Sequence, residues 1–263
     1  HHHHSSAASD VYKRHESNIR KVALTSLSGT SIEWYDFFLY GAAAGLVFPK
    51  LFFGEVDPTT ALILSFLTFA AGFIARPVGG IIFGHFGDIV GRKKTLVIAL
   101  MLMGIASTMI GLLPTYETIG IAAPLLLTFL RFCQGIAIGG QWGGAMLLVT
   151  ESAPNNRRGF YGAYAQAGAP VGVILANIAF ISVSSLTTEE DFLSWGWRIP
   201  FLISFVLVII SMYIQLRLED TRAFKELEAS KSAEPEEKRQ IKSSPILEAL
   251  RRYPGRISLA AGA

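Results

Sequence analysis

The sequence predicts an all-α membrane protein, on the basis of its low charge content, its long apolar runs and the placement of its basic residues. The chain has 263 residues, of which 51% are hydrophobic and 16% are charged, whereas an average soluble domain has about 25% charged residues. A helix that crosses a bilayer needs about 20 apolar residues, and runs of that length recur along the chain. This pattern excludes a disordered chain, a nucleic-acid-binding tail protein and an ordinary soluble enzyme.

Six apolar segments, separated by short polar connectors, predict six membrane-spanning helices. They occupy residues 22–217 and follow a basic N-terminus at 10–21, while the four histidines and small residues at 1–9 are typical of a tag remnant. The charged stretch 218–263 is expected to be a solvated loop or a surface helix. The six predicted spans lie at 22–48, 60–84, 95–113, 121–147, 161–185 and 199–217.

Basic residues fall mainly on one side of the predicted membrane. The N-terminus and the second and fourth connectors carry nine lysines and arginines, whereas the other side carries only Lys50 and Arg198. The positive-inside rule therefore predicts a cytoplasmic N-terminus. This orientation also explains the net charge of +3, so we expect the lipid bilayer, and no nucleic acid, as a partner.

Four ionisable residues lie inside the predicted spans, where a charge at the bilayer centre costs about 2.5–3.5 kcal/mol on insertion scales. Glu33 and Asp36 are three residues apart and share a face of the first helix. Arg131 lies about 15 Å into the fourth helix, close to the depth of Glu33 in the first, and Arg76 lies in the second. We therefore expect Glu33 and Arg131 to pair.

A buried acid that alternates between a paired and an unpaired state can take up and release a proton. Glu33, Asp36 and Arg131 are therefore candidates for proton coupling, and a static ion pair that holds two helices together is the structural alternative. The single cysteine, Cys133, leaves no internal disulfide. No spacing of ligand residues indicates a metal or another cofactor, so the proton is the expected coupling ion.

Short motifs at the helix ends and inside the spans carry a family resemblance. The loop that runs from Gly84 through Asp88 and Arg92 to Lys94 resembles the cytoplasmic signature loop of the major facilitator superfamily. Further motifs are similar to its metabolite:proton symporters, a group that includes carriers of shikimate, 2-oxoglutarate, citrate, and proline or betaine. They begin at Glu33 (EWYDFFLYG), Phe73 (FIARPVGG), Arg131 (RFCQG), Gly139 (GGQWGG) and Trp195 (WGWRIP).

The resemblance implies a fold of twelve helices in two six-helix halves, each built from two inverted three-helix repeats. This chain is then expected to form the N-terminal half, with 218–263 as the start of a cytoplasmic central loop and a C-terminal half as its partner. The complete protein is expected to be a monomer in the bacterial inner membrane. The resemblance also implies a cytoplasmic gate formed by Asp88, Gly91, Arg92, Glu151 and Arg158.

Polar and aromatic residues in the spans are candidates for lining a substrate cavity. The guanidinium of Arg131 suits a carboxylate, because its fork gives two parallel hydrogen bonds. Gln141 stands where relatives often have a glutamate, so it cannot carry a proton here. The candidate substrate-binding residues are Arg131, Arg76, Tyr35, Tyr40, Gln134, Gln141, Trp142, Tyr164, Gln166 and Asn177.

Together these residues predict a proton-coupled symporter of a small organic acid, such as shikimate or a di- or tricarboxylate, that works by alternating access. The alternatives are a proton-independent facilitator or antiporter on the same fold, a carrier of zwitterions such as betaine or proline, and a non-transporting receptor built on a membrane bundle. An enzyme is disfavoured, because no nucleophile with a base, no metal cluster and no phosphate-binding loop occurs at usable spacing.

Overall fold

The computed structural model describes the backbone of residues 3–216, and the side chains of residues 19–216 other than those at positions 88, 92, 93, 142 and 215. The segment 218–263, interpreted above as the start of a central loop, lies outside the described residues. Within the described part of the chain, every regular element is helical.

Six long α-helices form a bundle, and short helical turns lie in the connectors. Each span predicted from the sequence overlaps one long helix over nearly its whole length. The long helices are α1 His3–Leu46, α2 Pro58–Val90, α3 Arg92–Leu112, α4 Ala122–Ser152, α5 Arg158–Leu186 and α6 Arg198–Leu216. The connectors contain short α-helices at Phe48–Phe52, Tyr116–Ile119 and Glu189–Asp191, a 3-10 turn at Asn155–Arg157 and a π-helical turn at Phe192–Gly196.

Most of the long helices are long and apolar enough to cross a membrane. Among the described residues, four stretches meet this condition alone, and a fifth meets it when two segments joined at a 43° bend are taken together. α1 is outside this group, and its second half carries Glu33 and Asp36 together with several hydroxyl-bearing residues. The four stretches are Pro58–Gly87, Lys94–Leu112, Ala122–Ser152 and Asn155–Leu186, and the bent pair is Glu189–Gly196 with Arg198–Ile214.

The helices pack in pairs that fit two inverted three-helix repeats. α1 runs along α5 as α2 runs along α4, and α3 packs against α6. Exchanging the first three helices with the last three leaves these pairs unchanged, as a two-fold axis between the repeats requires. The repeat architecture is therefore visible in the packing as well as in the order of the helices.

Glycines bring the backbones of the paired helices together. Gly135 of α4 faces the carbonyl oxygen of Gly72 in α2, and a Cβ at position 135 would collide with that oxygen. Gly172 of α5 lies against α1 in the same way, where an added Cβ would be 2.7 Å from the carbonyl oxygen of Ser31. Both long pairs, α2–α4 and α1–α5, are therefore held at backbone contact by positions that tolerate no side chain.

A glycine separates α2 from α3 in the loop that the family resemblance identifies as a cytoplasmic gate. Gly91 has a φ of 109°, a conformation that residues with a Cβ rarely adopt. Its backbone lets one long helix end and the next begin within a single residue. The structure thus gives Gly91 a conformational role in this loop. A role in a gate stays a prediction.

The Asp57 carboxylate caps the other end of α2. Its Oδ1 accepts hydrogen bonds of 3.1 Å from the backbone N–H groups of Thr59 and Thr60, which have no partner within the first helical turn. Hydrogen bonds from the side chain of Thr60 and from these backbone groups hold the pKa of Asp57 below its ordinary value. The negative charge is thereby kept at the positive end of the helix.

An aromatic cluster closes the end of the bundle where α1 meets the start of α6. Beside it, the Nη1 of Arg198 donates hydrogen bonds of 2.9 and 2.7 Å to the carbonyl oxygens of Gly111 and Leu113 at the end of α3. These carbonyls have no intrahelical donor, so Arg198 caps α3 from α6. The buried rings of the cluster belong to Phe48, Phe52, Trp197 and Phe201.

Large apolar side chains also cover the outside of the bundle, which is the reverse of a soluble protein. Ile74 of α2 and Leu125 of α4 are 72% and 64% exposed. A surface of this kind suits contact with lipid tails or with further helices.

We predict that Gly135→Ala destabilises the bundle. The new methyl group would overlap the backbone of α2 and force the two helices apart, which should cost about 1–3 kcal/mol. The thermal unfolding midpoint of the protein in detergent measures this. Gly143→Ala on the same helix is the matched control, because nothing lies within 4 Å of a Cβ there. Equal midpoints for the two variants would contradict the prediction.

Candidate functional site

The Asp36 carboxylate is held by two serines from other helices. Ser107 of α3 donates a 2.7 Å hydrogen bond to Oδ2, and Ser204 of α6 donates a short one to Oδ1. All three side chains are buried, with 1% of Asp36 and none of either serine exposed. Both carboxylate oxygens therefore have a fixed donor inside the bundle.

A chain of hydrogen bonds continues from Ser107 to Arg131. The Nε2 of Gln134 donates to Ser107 Oγ at 2.6 Å, and Arg131 Nη1 donates to Gln134 Oε1 at 3.1 Å. Arg131 and Gln134 lie one turn apart on α4 and are both buried. The charges of Arg131 and Asp36 thus interact through an amide and a hydroxyl.

Aromatic rings and a glycine form the pocket that holds the Arg131 guanidinium. Its Cζ lies 4.3 Å from the centre of the Tyr40 ring, 4.6 Å from Phe69 and 5.7 Å from Phe37, which are cation–π distances. Gly72 of α2 leaves the remaining room, since a Cβ there would be 2.7 Å from Arg131 Nε. That Nε is buried, and no acceptor for it occurs in the described part of the chain.

The structure does not form the pair expected between Glu33 and Arg131. Among the described residues, no direct ion pair joins Arg131 to either acid, and the electrostatic partner of Glu33 is Arg76. The two acids of α1 face different neighbours, because residues three apart on a helix are rotated relative to each other. Asp36, three residues later, takes the place next to Arg131.

Glu33 differs from Asp36 in how its carboxylate is satisfied. Glu33 is only 3% exposed, yet no described residue donates a hydrogen bond to its Oε2. Arg76 is partly exposed, and its Cζ lies 5.0 Å from the centre of the Phe37 ring and 4.7 Å from Phe73. Asp36 therefore accepts a hydrogen bond on each carboxylate oxygen, whereas Glu33 has one oxygen that accepts none from the described residues.

Phe37 connects the two arginines to a surface cleft. Its ring contacts the guanidiniums of both Arg76 and Arg131 and lines a cleft of about 350 Å³ between α1, α2 and α5. Asn177 contributes a polar side chain to this cleft and donates a 2.8 Å hydrogen bond to Val173 of its own helix. The other lining residues are Phe38, Gly41, Ala42, Phe69, Ala176 and Phe180.

The two candidate tyrosines of α1 have different surroundings. The Tyr40 hydroxyl lies 2.7 Å from Thr68 Oγ1 of α2, and its ring stacks under Arg131, so it belongs to the site. The Tyr35 hydroxyl donates a 2.7 Å hydrogen bond to the carbonyl oxygen of Pro200. Tyr35 is therefore committed to α6, where it ties the two helices together.

The remaining substrate candidates are not gathered around Arg131. Gln141 is buried on α4, and its Oε1 has no donor, while the side chain of Trp142 lies outside the described residues. Gln166 is exposed on α5. Tyr164 lines a separate cleft of about 330 Å³ with Arg20, Leu24, Arg157, Phe160 and Tyr161.

The gate residues implied by the resemblance are only partly described. The side chains of Asp88 and Arg92 are outside the described set. Gly91 lies between the end of α2 and the start of α3. Glu151 is half-buried near the end of α4, and Arg158 is exposed at the start of α5. These positions stay candidates for a gate.

Sequence reasoning missed the two serines that hold Asp36. The signal was present, because Ser107 and Ser204 are polar residues in the middle of apolar runs. A lone serine in a membrane helix most often bonds its own backbone, however, and the sequence does not show which ones face an acid. No group of metal-ligating side chains occurs within the described residues.

Comparison with known proteins supports the architecture. A family model described as sugar (and other) transporter matches residues 21–249. The chain is 53% identical over 211 residues to the inner membrane metabolite transport protein YhjE of Escherichia coli K12, which is 80% of this chain and 48% of that protein. It is 47% identical over 239 residues to the shikimate transporter of the same strain, which is 91% of this chain and 53% of that protein.

A third relative carries a different cargo. The proline/betaine transporter of Salmonella typhimurium LT2 is 40% identical over 217 residues, which is 82% of this chain and 43% of that protein. The chain spans about half the length of the curated relatives it matches.

Solved structures share the fold at low sequence identity. The xylose transporter XylE of E. coli, in a partially occluded inward open conformation, matches with a TM-score of 0.71 at 17% identity over 81% of this chain and 51% of that chain. A crystal structure of a D-xylose-proton symporter matches with a TM-score of 0.70 at 16% identity, over 88% and 55%. The all-α membrane fold predicted from the sequence is confirmed, with this chain as one six-helix half.

We predict that Asp36→Asn destabilises the protein more than Glu33→Gln does. Removing the Asp36 charge leaves Arg131 buried without a counter-charge and disturbs two serine hydrogen bonds, at a cost on the order of 3 kcal/mol. Glu33→Gln removes a carboxylate oxygen that has no donor, beside an arginine that is partly exposed, so its cost should stay below about 1 kcal/mol. Thermal unfolding midpoints in detergent compare the two, and a larger drop for Glu33→Gln would contradict the prediction.

Proposed function

The chain belongs to the sugar (and other) transporter family, and on that premise we propose that the complete protein is a proton-coupled symporter of a small organic acid. The described chain supplies the N-terminal half of such a transporter. The observation that carries the proposal is a cluster of two carboxylates and two guanidiniums beside a surface cleft, in which Glu33, Asp36 and Arg131 are buried and Arg76 is partly exposed. Ionisable groups inside a membrane bundle are costly, and they are typical of ion and substrate pathways.

The proton is assigned to Glu33. Adding a proton to its Oε2 breaks no existing hydrogen bond, whereas a proton on Asp36 would require one of two serines to give up its donated bond. Arg76 lies beside Glu33, so the charge state of Glu33 changes the field around the arginines. Asp36 and Arg131 complete the proposed coupling group.

The substrate's carboxylate is assigned to the arginines. A guanidinium binds a carboxylate through two parallel hydrogen bonds, and Arg131 has an Nε without an acceptor. The cleft lined by Phe37 and Asn177 is large enough for a small organic acid. Tyr40 and Gln134 lie around Arg131, and the relative that transports shikimate carries an acid of this size.

Transport then follows alternating access between two halves of the fold. The proton and the acid bind together from the outside, the two halves rock about the midplane site, and both leave towards the cytoplasm. The C-terminal half supplies the opposite wall of the site. We expect the protein to span the bacterial inner membrane with its N-terminus in the cytoplasm, to act as a monomer, and to need no cofactor other than the proton.

A carrier of zwitterions is the second candidate. Its support is the relative that transports proline and betaine, together with the phenylalanines of the cleft, whose ring faces attract a quaternary ammonium group. The carboxylate of betaine would bind the same arginines. A proton-independent facilitator or antiporter remains the alternative to symport on this fold.

The test uses the full-length protein in proteoliposomes with an internal pH dye. Shikimate, citrate and 2-oxoglutarate are added in turn, with betaine and a sugar as comparisons. We predict proton entry triggered by one acid, and its loss in Glu33→Gln, because a glutamine at this position cannot take up the proton. The same variant should still exchange labelled acid for unlabelled acid across the membrane.

Glu117→Gln is the matched control, since it makes the same chemical change at an exposed position outside the long helices. It should leave proton entry unchanged. Equilibration of a labelled acid without any proton movement would replace symport by facilitated diffusion, and proton entry with betaine alone would favour the zwitterion carrier.

A further inference from the structure

The hydrogen-bond chain between Arg131 and Asp36 is polarised in one direction. Arg131 donates to Gln134, and Gln134 donates to Ser107. Ser107 in turn donates to the carboxylate of Asp36. Because every donor points towards the acid, the amide and hydroxyl dipoles reinforce each other and join the two charges over the intervening groups.

The chain also keeps the guanidinium off the carboxylate. A buried arginine and aspartate in one cluster would otherwise form a two-pronged ion pair, which uses the whole fork of the guanidinium. Here Nη1 of Arg131 donates to Gln134, and Nε of Arg131 has no acceptor among the described residues. The Nε–H group is therefore available to a second carboxylate.

We infer that Gln134 and Ser107 are positioning residues, which hold Arg131 ready for the carboxylate of the transported acid. This inference rests on the proposed function and deepens it. Phe37 and Phe69 flank the guanidinium on one side and line the cleft on the other, so the carboxylate reaches Arg131 past these two rings. Without the spacer, Arg131 collapses onto Asp36, and the acid has to break an ion pair before it binds.

A comparison of Ser204 with Ser107 distinguishes two possible roles of these serines, the positioning of Arg131 and the stabilisation of Asp36. Ser204 bonds the same carboxylate as Ser107 and is equally buried, but it lies on α6 and is not part of the chain to Arg131. If the serines only stabilise the acid, the two alanine variants behave alike. If the chain positions Arg131, only Ser107→Ala releases the guanidinium.

The kinetic test measures uptake of labelled shikimate by the full-length protein in proteoliposomes. Gln134→Ala and Ser107→Ala should raise KM on the order of tenfold, equivalent to 1.4 kcal/mol of binding, and lower kcat much less. The rise in KM for Ser204→Ala should be clearly smaller. Thr108→Val is the control for loss of a hydroxyl from α3, because Thr108 bonds only the Gly104 carbonyl of its own helix.

A second measurement needs no substrate. Asp36→Asn and Arg131→Gln are combined in a double-mutant cycle of thermal unfolding midpoints, in the wild type and in the Gln134→Ala background. A direct ion pair couples the two residues more strongly than a spaced one. The non-additivity of the two substitutions should therefore be larger when Gln134 is absent.

The two measurements test the proposed function and the role of Gln134 separately. If the full-length protein carries none of the acids, the proposed function is wrong, and the cycle alone decides whether Gln134 holds the two charges apart. Equal non-additivity in the two backgrounds overturns the inference. So does a rise in KM for Ser204→Ala that equals the rise for Ser107→Ala.

Discussion

The burial of two carboxylates and the Arg131 guanidinium inside a helix bundle, beside the partly exposed Arg76, is the constraint on which the rest of this structure depends. Each charge must find compensation where water is scarce, since a buried unpaired charge costs several kcal/mol. The protein supplies it from five long helices, with hydroxyls from α3 and α6, an amide from α4 and ring faces from α1 and α2. The polar cluster therefore adds hydrogen bonds between α1, α3, α4 and α6 to the contacts of the apolar core.

Close backbone packing makes this compensation possible. Gly72 of α2 and Gly135 of α4 face each other without side chains, so the two backbones lie in contact close to Arg131. Gly72 also leaves the volume that the Arg131 guanidinium fills. Gly72 is thus part of the charged site, although it carries no charge, because it leaves room for the guanidinium beside the rings of Tyr40 and Phe69.

The two acids of α1 differ in how many hydrogen bonds their carboxylates accept, and the roles proposed for them follow this difference. Asp36 accepts a hydrogen bond on each oxygen and is joined to Arg131 through neutral groups, so it behaves as a fixed part of the scaffold. Glu33 has a buried oxygen without a donor and lies beside the partly exposed Arg76. One turn of helix therefore holds one carboxylate with a donor on each oxygen and one with an oxygen that has no donor among the described residues. The proposed coupling of a proton to an anion rests on this difference.

The sequence by itself determined the all-α membrane class, the positions of the six helices and the four ionisable residues inside them, because apolar run length and the cost of burying charge are properties of composition and spacing. It did not determine which charges meet. Matching depths suggested a Glu33–Arg131 pair, but a rotation of 100° per residue about a helix axis decides which neighbour a side chain faces. The tertiary structure alone selected Ser107 and Ser204 from the many serines of the spans, placed Tyr35 against Pro200, and separated Tyr164 from the cluster. These outcomes depend on how six helices are rotated against one another, and that rotation is fixed by contacts between residues distant in the chain.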